Sequence, residues 1–277
     1  VIKGEDGNVT IEKLAKIVKD YIKEEKLEND IVGIGLGIPG TIESTTGVCS
    51  YSNNLKWENV PVSDIFHKYL DYPVRITNDA NAATLGEFMF GAGKDYQNCI
   101  MITLGTGVGS GVIIDGRLYE GNEGKGSELG HTVIELNGRQ CTCGRKGCFE
   151  QYASATAIIN DSIKAMEAHP ESLMHDIAKE LGKVNGMVPF EAMRRGDKVA
   201  KQVVDQYIFY LGEGLLNICN IFRPEVIILS GGIANEGDNL LNPLKEYLKN
   251  NQYGYPRTPA VEIIVAKLGY DSGKIGA

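Results

Sequence analysis

Four side chains that commonly bind zinc occur close together within residues 131–148 of this chain. They are one imidazole and three thiols, from His131, Cys141, Cys143 and Cys148. Three cysteines and one histidine form a complete tetrahedral ligand set for Zn²⁺. Because four protein ligands leave no open coordination position for water or substrate, the pattern predicts a structural ion rather than a catalytic one.

Disulfides or ordinary small core residues are the alternative interpretation of these cysteines. The chain has six cysteines, but the other three, Cys49, Cys99 and Cys219, lie in apolar or ordinary surroundings. They complete no evident disulfide framework. The C-x-C spacing is tighter than that of most zinc fingers, yet a metal site remains the favoured interpretation.

Two glycines and two carboxylates accompany the predicted ligands. Gly144 and Gly147 lie inside the cysteine cluster, where a positive φ lets the chain turn tightly around one ion. Glu128 and Glu150 flank the cluster, and an ion that only braced a loop would not need them. We therefore expect the metal to hold acidic hydrogen-bond acceptors around a pocket.

A glycine-rich turn lies between two predicted strands, 99–104 and 110–114. It contains Gly105, Thr106, Gly107 and Gly109. Its position between two strands argues against a dinucleotide-binding fingerprint, which opens a helix, and the Gly-Lys-Ser/Thr of a P-loop is absent. Several backbone N–H groups and the Thr106 hydroxyl could still bind a phosphate. A plain tight hairpin is the alternative.

A second glycine pair, Gly231 and Gly232, follows the predicted strand 226–229. Ligands of α/β proteins bind at the carboxyl ends of strands. The two glycine motifs together therefore favour a nucleotide site over two unrelated turns.

Asn78 and Asp79 occupy another strand end, after the predicted strand 74–77 and before an alanine-rich helix that runs to about residue 90. Asp79 has two interpretations of similar weight. It could be a helix N-cap, which is common for aspartate. It could instead accept the proton of a substrate hydroxyl during phosphoryl transfer, and the helix N-terminus would then keep it ionised at neutral pH.

The elements that must position these residues alternate between strand and helix, which predicts an α/β fold. Hydrophobic periodicity indicates a first helix over 11–22 with Thr10 as N-cap, followed by a buried strand over 31–38. Further helices are predicted over 151–168, 171–181, 189–195, 197–221 and about 240–250, and a last strand over 261–266.

Composition excludes several classes of function. The 277 residues carry a formal charge of −8, which gives no footprint for nucleic acid or an anionic membrane. No apolar run reaches membrane-spanning length and no signal peptide is visible. Because cysteines in a metal cluster must stay reduced, we expect a cytoplasmic protein.

Together these motifs resemble the ROK family of sugar kinases and repressors. The matching segments, in order, are V-G-I-G-L-G-I-P-G, N-D-A-N-A-A, L-G-T-G-V-G-S-G, E-L-G-H, C-x-C-G-x2-G-C-x-E and L-S-G-G-I. The resemblance implies an actin-like, ribonuclease H-like ATPase fold of two α/β domains around a cleft. Residues 1–92 would form the smaller domain and 93–267 the larger, zinc-containing one, with a helix from about 268 rejoining the first.

The resemblance also implies roles for individual residues. Asp79 matches the catalytic base, and the sugar-contacting residues match Asn78, Glu128, His131 and Glu150. His131 would place one ring nitrogen on zinc and the other towards a sugar hydroxyl, so that the metal orients a substrate ligand. Residues 105–109 match a phosphate motif, and residues 231–232 match the adenosine-side loop.

The family reaction is phosphorylation of a hexose by Mg-ATP, most often at the 6-hydroxyl. Glucose is the leading substrate, and N-acetylmannosamine, N-acetylglucosamine, fructose and allose remain open. The alternative is a sugar-responsive repressor with a helix-turn-helix. Zn²⁺ as a structural ion, Mg²⁺ with ATP, and a homodimer or homotetramer are further expectations from the resemblance.

One departure from the family pattern stands out. The D-x-G-G-T strand that opens family members and contacts the β- and γ-phosphates is absent, and the last residues resemble the interior of the final family helix. We expect the natural protein to carry an N-terminal extension. Without it the sheet would have unpaired edges, and catalysis would be in doubt.

Overall fold

Ten strands and ten α-helices are present in residues 5–277, the part of the chain that the computed structural model describes. The strands are β1 (Ile34–Ile38), β2 (Thr41–Glu43), β3 (Val48–Ser52), β4 (Trp57–Val60), β5 (Val74–Asn78), β6 (Cys99–Leu104), β7 (Val108–Ile114), β8 (Arg117–Leu118), β9 (Val226–Ser230) and β10 (Glu262–Val265). The helices are α1 (Gly7–Glu24), α2 (Val62–His67), α3 (Asp79–Phe90), α4 (Glu150–Ala153), α5 (Ala155–Ala168), α6 (Met174–Glu180), α7 (Met187–Arg194), α8 (Lys198–Phe222), α9 (Asp238–Asn251) and α10 (Ser272–Gly276).

The largest sheet has five strands in the order β10-β9-β6-β7-β8. Strands β10, β9 and β6 are parallel, whereas β7 and β8 are antiparallel to their neighbours. Both faces are covered, as the nearly continuous apolar sequence of β6 and β9 requires. Ile100 and Ile102 pack into the core formed with helices α5 to α9, whereas Cys99 and Met101 pack with Ala83 of α3.

Two smaller sheets lie in the first 78 residues. Strand β1 pairs in parallel with β5, and β2, β3 and β4 form an antiparallel sheet. A separate core cluster within residues 11–76 joins them to α1 and α2 and buries Trp57. Helix α3 lies between this part and the large sheet, since it contacts both β1 and β7.

The C-terminal helix α10 packs on α3 through residues without side chains. A Cβ on Gly86 would overlap the carbonyl oxygen of Ser272, and one on Gly276 would overlap that of Ala82. This packing places the last described residues beside α3. The predicted division into domains at residues 92 and 267 remains a prediction.

Several element boundaries differ from the predictions. The N-cap of α1 is Asp6, whose carboxylate accepts from the backbone N–H groups of Asn8 and Val9, and Thr10 lies inside the helix. The prediction of Thr10 as N-cap was therefore wrong. Strand β1 begins at Ile34, three residues later than predicted.

The helix predicted over 151–168 is divided at Ser154. Its extended backbone separates α4 from α5, and its hydroxyl accepts from the N–H of Ala157 as the N-cap of α5. Strands β2 to β4 and helix α2 were not predicted, because each is short and interrupted by polar turn residues.

No helix among the described residues is both long and apolar enough to cross a membrane. This finding agrees with the absence of a long apolar run in the sequence.

Candidate active site

A cleft of about 840 Å³ lies where α3, the glycine-rich turn and the cysteine-rich loop meet. The polar residues proposed for sugar contact and the glycine-rich turn all line it: Asn78, Asp79, Glu128, His131, Glu150, Gly105, Thr106, Gly107 and Gly109. Gly231 and Cys143 line it as well, whereas Gly232 does not. Residues distant in sequence therefore share one cavity.

The four predicted metal ligands converge. Their ligand atoms all lie within 4.8 Å of one another. The sulfur atoms of Cys143 and Cys148 are 3.6 Å apart, and the Cys141 sulfur is 3.7 Å from His131 Nδ1. Two thiolates at about 2.3 Å from a tetrahedral zinc lie about 3.8 Å from each other. The donor set and its spacing thus fit one Zn²⁺ ion.

None of the cysteines is in a disulfide, which rules out that alternative for this structure. Gly144 and Gly147 have φ values of +93° and +79°, so the predicted tight turns with positive φ are confirmed. At Gly147 a side chain would also overlap the carbonyl oxygen of Glu135. The loop can therefore fold around the ligands only with glycine there.

Asn78, not Asp79, is the N-cap of α3. Its Oδ1 accepts from the N–H groups of Ala80 at 2.8 Å and Asn81 at 3.3 Å. Its Nδ2 donates to the carbonyl oxygen of Gly40 at 2.9 Å. The interpretation of Asp79 as the N-cap was therefore wrong, and its carboxylate is left to face the cleft.

The Asp79 carboxyl has a pKa above its ordinary value. The side chain is in contact with the solvent of the cleft, but the surrounding protein removes enough water to raise the pKa, and the N–H of Ala80 offsets this only in part. The direction is opposite to the one expected from the helix N-terminus. A raised pKa makes the ionised carboxylate a stronger base.

The pKa of the Glu128 carboxyl is also raised above its ordinary value. Burial raises the pKa of its carboxyl most, and the charges of Asp79 and Glu150 raise it further, whereas His131 lowers it. Three carboxylates therefore influence one another across the cleft. Such a cluster of acceptors suits a ligand rich in hydroxyl groups.

The glycine-rich turn leaves two backbone N–H groups without an acceptor among the described residues, those of Thr106 and Gly107. The other N–H groups are used. Gly105 donates to the Gly107 carbonyl at 3.1 Å, Val108 to Glu150 Oε2 at 3.2 Å, and Gly109 to Thr103 Oγ1 at 3.1 Å. The predicted phosphate contact of Gly109 therefore cannot use its own N–H.

The N-terminus of α5 fixes the direction of these two N–H groups. Ala155 N–H donates to the Gly105 carbonyl at 2.8 Å, and the Thr156 hydroxyl donates to the Thr106 carbonyl at 2.7 Å. In a planar trans peptide the N–H points opposite to the C=O. The N–H groups of Thr106 and Gly107 therefore point away from α5. Sequence analysis did not predict this role of Ala155 and Thr156, because nothing in their local sequence indicates a contact with the glycine turn.

Gly107 also makes room for Glu150. A Cβ at position 107 would overlap Glu150 Oε2. The carboxylate thus reaches the turn only because residue 107 has no side chain. Gly231, with φ at +91°, is required for a related reason, since its Cβ would lie 2.5 Å from the Leu104 carbonyl oxygen.

Other lining residues were not predicted. Tyr51 of β3 and Asn53 and Asn54 of the β3–β4 turn line the cleft. So does Thr142, which lies between two of the cysteines. A recess of about 70 Å³ beside Gly231 is lined by Ser230, Gly231, Ala234, Asn235, Val265, Ala266, Gly269 and Tyr270. Only the tertiary structure brings these segments together.

These features belong to an α/β protein that binds a polar ligand in a cleft, beside a glycine turn with two available N–H groups and a cluster of four zinc-type ligands. The model of the ROK family matches residues 6–277. The chain belongs to the ROK family, and its fold is the actin-like ATPase fold of ROK sugar kinases.

Individual relatives support the assignment. A glucokinase of Halalkalibacterium halodurans is 39% identical over 91% of this chain and 76% of that protein. The crystal structure of a ROK glucokinase from Streptomyces griseus with glucose and AMPPNP superposes with a TM-score of 0.82, at 30% identity, over 96% of this chain and 86% of that one. A xylose repressor of Caldicellulosiruptor bescii is 31% identical over 90% of this chain and 63% of its own length.

Proposed function

We infer that the protein is an ATP-dependent hexose kinase, with glucose as the leading substrate and the 6-hydroxyl as the acceptor. Relatives named glucokinase support the reaction class. The observation that carries the proposal is the shared cleft, in which the Asp79 carboxylate faces the same cavity as two free backbone N–H groups of the glycine turn. A hydroxyl nucleophile and a phosphoryl donor need that juxtaposition.

In this proposal Asp79 is the general base. Its carboxylate takes the proton of the sugar hydroxyl as the hydroxyl oxygen bonds to the γ-phosphorus and the bond to the β-phosphate oxygen breaks. Phosphoryl transfer depends mainly on positioning and charge stabilisation, so one aligned carboxylate is sufficient as base. Because the pKa of Asp79 is raised, its carboxylate is a stronger base than that of an ordinary aspartate and binds the transferred proton more tightly.

Glu128, Glu150 and the second Nδ2 hydrogen of Asn78 would bind the other sugar hydroxyls. Carboxylates accept from hydroxyls in short, charge-assisted hydrogen bonds. The Asn78 side chain already donates to the Gly40 carbonyl oxygen and accepts from the Ala80 N–H, so it is also the N-cap of α3. The sugar would therefore be held from both sides of Asp79.

The phosphates would bind at the N–H groups of Thr106 and Gly107 and at the Thr106 hydroxyl, with Gly231 and Gly232 on the adenosine side. Backbone N–H groups in a glycine turn form an anion-binding concavity. Mg²⁺ would enter with ATP and neutralise phosphate charge. These two glycine segments end neighbouring strands, β6 and β9, which are paired in parallel.

We further propose that His131, Cys141, Cys143 and Cys148 hold a structural Zn²⁺. The Nδ1 atom of His131 is the ring nitrogen beside the Cys141 sulfur. Metal binding there would leave Nε2 as the nitrogen available to a sugar hydroxyl, with its tautomer fixed. The ion would thereby connect loop folding to sugar binding.

The test is ATP-dependent phosphorylation of a panel of hexoses and amino sugars, with Asp79→Asn and Asp71→Asn compared. Asp71 is an exposed aspartate outside the cleft, so its variant controls for a change of charge. We expect turnover of glucose that is lost in Asp79→Asn only. Equal turnover by Asp79→Asn would remove its role as base, and preference for another sugar would reassign the substrate.

A sugar-responsive repressor is the second candidate, favoured by the identity to the xylose repressor. Sugar binding should therefore be measured by calorimetry separately from turnover. Binding without turnover would favour the sensor. The position of the Asp79 carboxylate in the cleft favours the kinase, since a sensor needs no base.

A homodimer or homotetramer remains a proposal from the family resemblance, and a cytoplasmic location remains a proposal from the reduced cysteines of the metal cluster. Light scattering coupled to size-exclusion chromatography would decide the first, and a monomer at micromolar concentration would contradict it.

A further inference from the structure

The segment of residues 119–127, called the strap below, runs from the large sheet to the small antiparallel sheet. It follows β8 and ends immediately before Glu128. Lys125 lies 3.8 Å from the carboxylate of Glu43 at the end of β2. A side chain at Gly124 would overlap the carbonyl oxygen of Ile42. The strap therefore lies directly on β2.

Glu120 makes the most specific contacts of the strap. Its Oε1 accepts from the Thr77 hydroxyl at 3.0 Å and from the Asn81 amide at 3.5 Å. Its Oε2 accepts from the Ser44 hydroxyl at 3.3 Å. Glu120 forms no ion pair among the described residues. This half-buried carboxylate therefore accepts hydrogen bonds from neutral donors alone. A charge kept for surface solubility would not be placed in that way.

The two donors to Oε1 lie on either side of Asp79. Thr77 is in strand β5, two residues before it, and Asn81 is in the first turn of α3, two residues after it. One carboxylate oxygen therefore joins the end of the strand to the start of the helix. The backbone of Asp79 lies between these attachment points and has little freedom to shift.

The other end of the strap is attached to the large sheet. The carbonyl oxygen of Ser127 accepts from the Ser110 hydroxyl, whose oxygen in turn accepts from the N–H of Leu129 at 3.2 Å. Glu128 lies between these two anchored residues. The strap thus connects the wall of the cleft that carries Asp79 with the wall that carries Glu128.

We propose that Glu120 is a positioning residue for phosphoryl transfer, which sets the place of the Asp79 carboxylate relative to the sugar held by Glu128. The inference rests on the proposed kinase function, since it assigns Glu120 to the same site. It does not require Glu120 to touch the sugar or ATP. A misplacement of about 1 Å at a reacting group can cost about 100-fold in rate.

The test compares Glu120→Ala, Glu120→Gln and Thr77→Val, with Glu123→Ala as the matched control. Glu123 is an exposed acid of the same strap, and Lys125 is the side-chain partner that the described residues give it. We expect Glu120→Ala to lower kcat about 10- to 100-fold with the KM for ATP unchanged. Glu120→Gln should restore most of kcat, because the amide oxygen can still accept from Thr77.

The double variant Glu120→Ala, Thr77→Val should lose no more kcat than Glu120→Ala alone, because both changes remove the same bond. Additive losses, or an equal loss in Glu123→Ala, would overturn the positioning role. So would an unchanged kcat in Glu120→Ala.

Hydrogen exchange of the amides in residues 77–82 separates this inference from the kinase proposal. Faster exchange there in Glu120→Ala, but not in Glu123→Ala, is expected whether or not the protein turns over a sugar. If the wild-type protein phosphorylated no sugar, the kinase proposal would fail and exchange would still test the attachment. Unchanged exchange would refute it.

Discussion

Replacing Gly107 by alanine tests how the glycine turn and the sugar site depend on each other. The added Cβ would overlap Glu150 Oε2, which now accepts from the N–H of Val108 at 3.2 Å. Gly107 is not among the glycines with a positive φ, so alanine would not meet the left-handed backbone penalty there. Because the displaced atoms are the far end of a flexible side chain, the chain should fold with a loss of less than about 1 kcal/mol.

The cost should appear in sugar affinity instead. A displaced Glu150 loses its place in the cleft, and a hydrogen bond to a charged group contributes about 1.5–3 kcal/mol. Since 1.4 kcal/mol is a factor of about ten, glucose should bind about 10- to 100-fold more weakly. Isothermal titration calorimetry with glucose, in the absence of ATP, measures this directly.

Gly105→Ala is the control within the same turn. A Cβ at position 105 meets no atom within 4 Å, so glucose affinity should stay at the wild-type value even if ATP binding falls. Wild-type glucose affinity in Gly107→Ala, with the fold intact, would show that the turn does not set the position of Glu150. An equal loss in both variants would point to a general disturbance of the turn.

Three further predictions concern stability, metal and pH. Glu87→Ala should lower the free energy of unfolding by about 3–5 kcal/mol in urea titrations, because the fully buried carboxylate accepts from three backbone N–H groups, those of residues 92, 267 and 268; a loss below 1 kcal/mol would contradict this. Cys143→Ser should lose zinc and weaken glucose binding together, and a zinc-free variant with unchanged affinity would separate the ion from the site. The pKa of Asp79 is raised in the folded state, so kcat should fall as pH drops through that raised value. For the same reason its contribution to stability is present below the unfolded pKa and lost as pH rises through the folded one. Asp79→Asn should therefore gain thermal stability relative to wild type towards neutral pH, and the opposite trend would show that the pKa is not raised.

Much of the site was predictable because local chemistry carried the information. The spacing of His131, Cys141, Cys143 and Cys148 predicted a metal-type cluster, and the structure brings the four ligand atoms together. Long apolar runs predicted β6 and β9, because a strand covered on both faces needs apolar side chains at almost every position.

Local sequence failed where two chemically similar neighbours competed for one role. Asn78 and Asp79 are both good N-caps, and sequence offered no reason to choose between them. The choice depends on Gly40, which is distant in sequence and whose carbonyl oxygen accepts from the Asn78 amide. Once Asn78 caps the helix, Asp79 is free to face the cleft.

The order of residues was enough to show which chemical groups were available: four metal ligands, three carboxylates and glycine turns at strand ends. The folded arrangement was needed to show which backbone N–H groups lack an acceptor among the described residues, which donors Glu120 accepts from, and in which direction burial shifts the Asp79 pKa. The physical reason is that hydrogen-bond satisfaction and desolvation depend on every atom nearby in space. Most of those atoms belong to segments far apart in the chain.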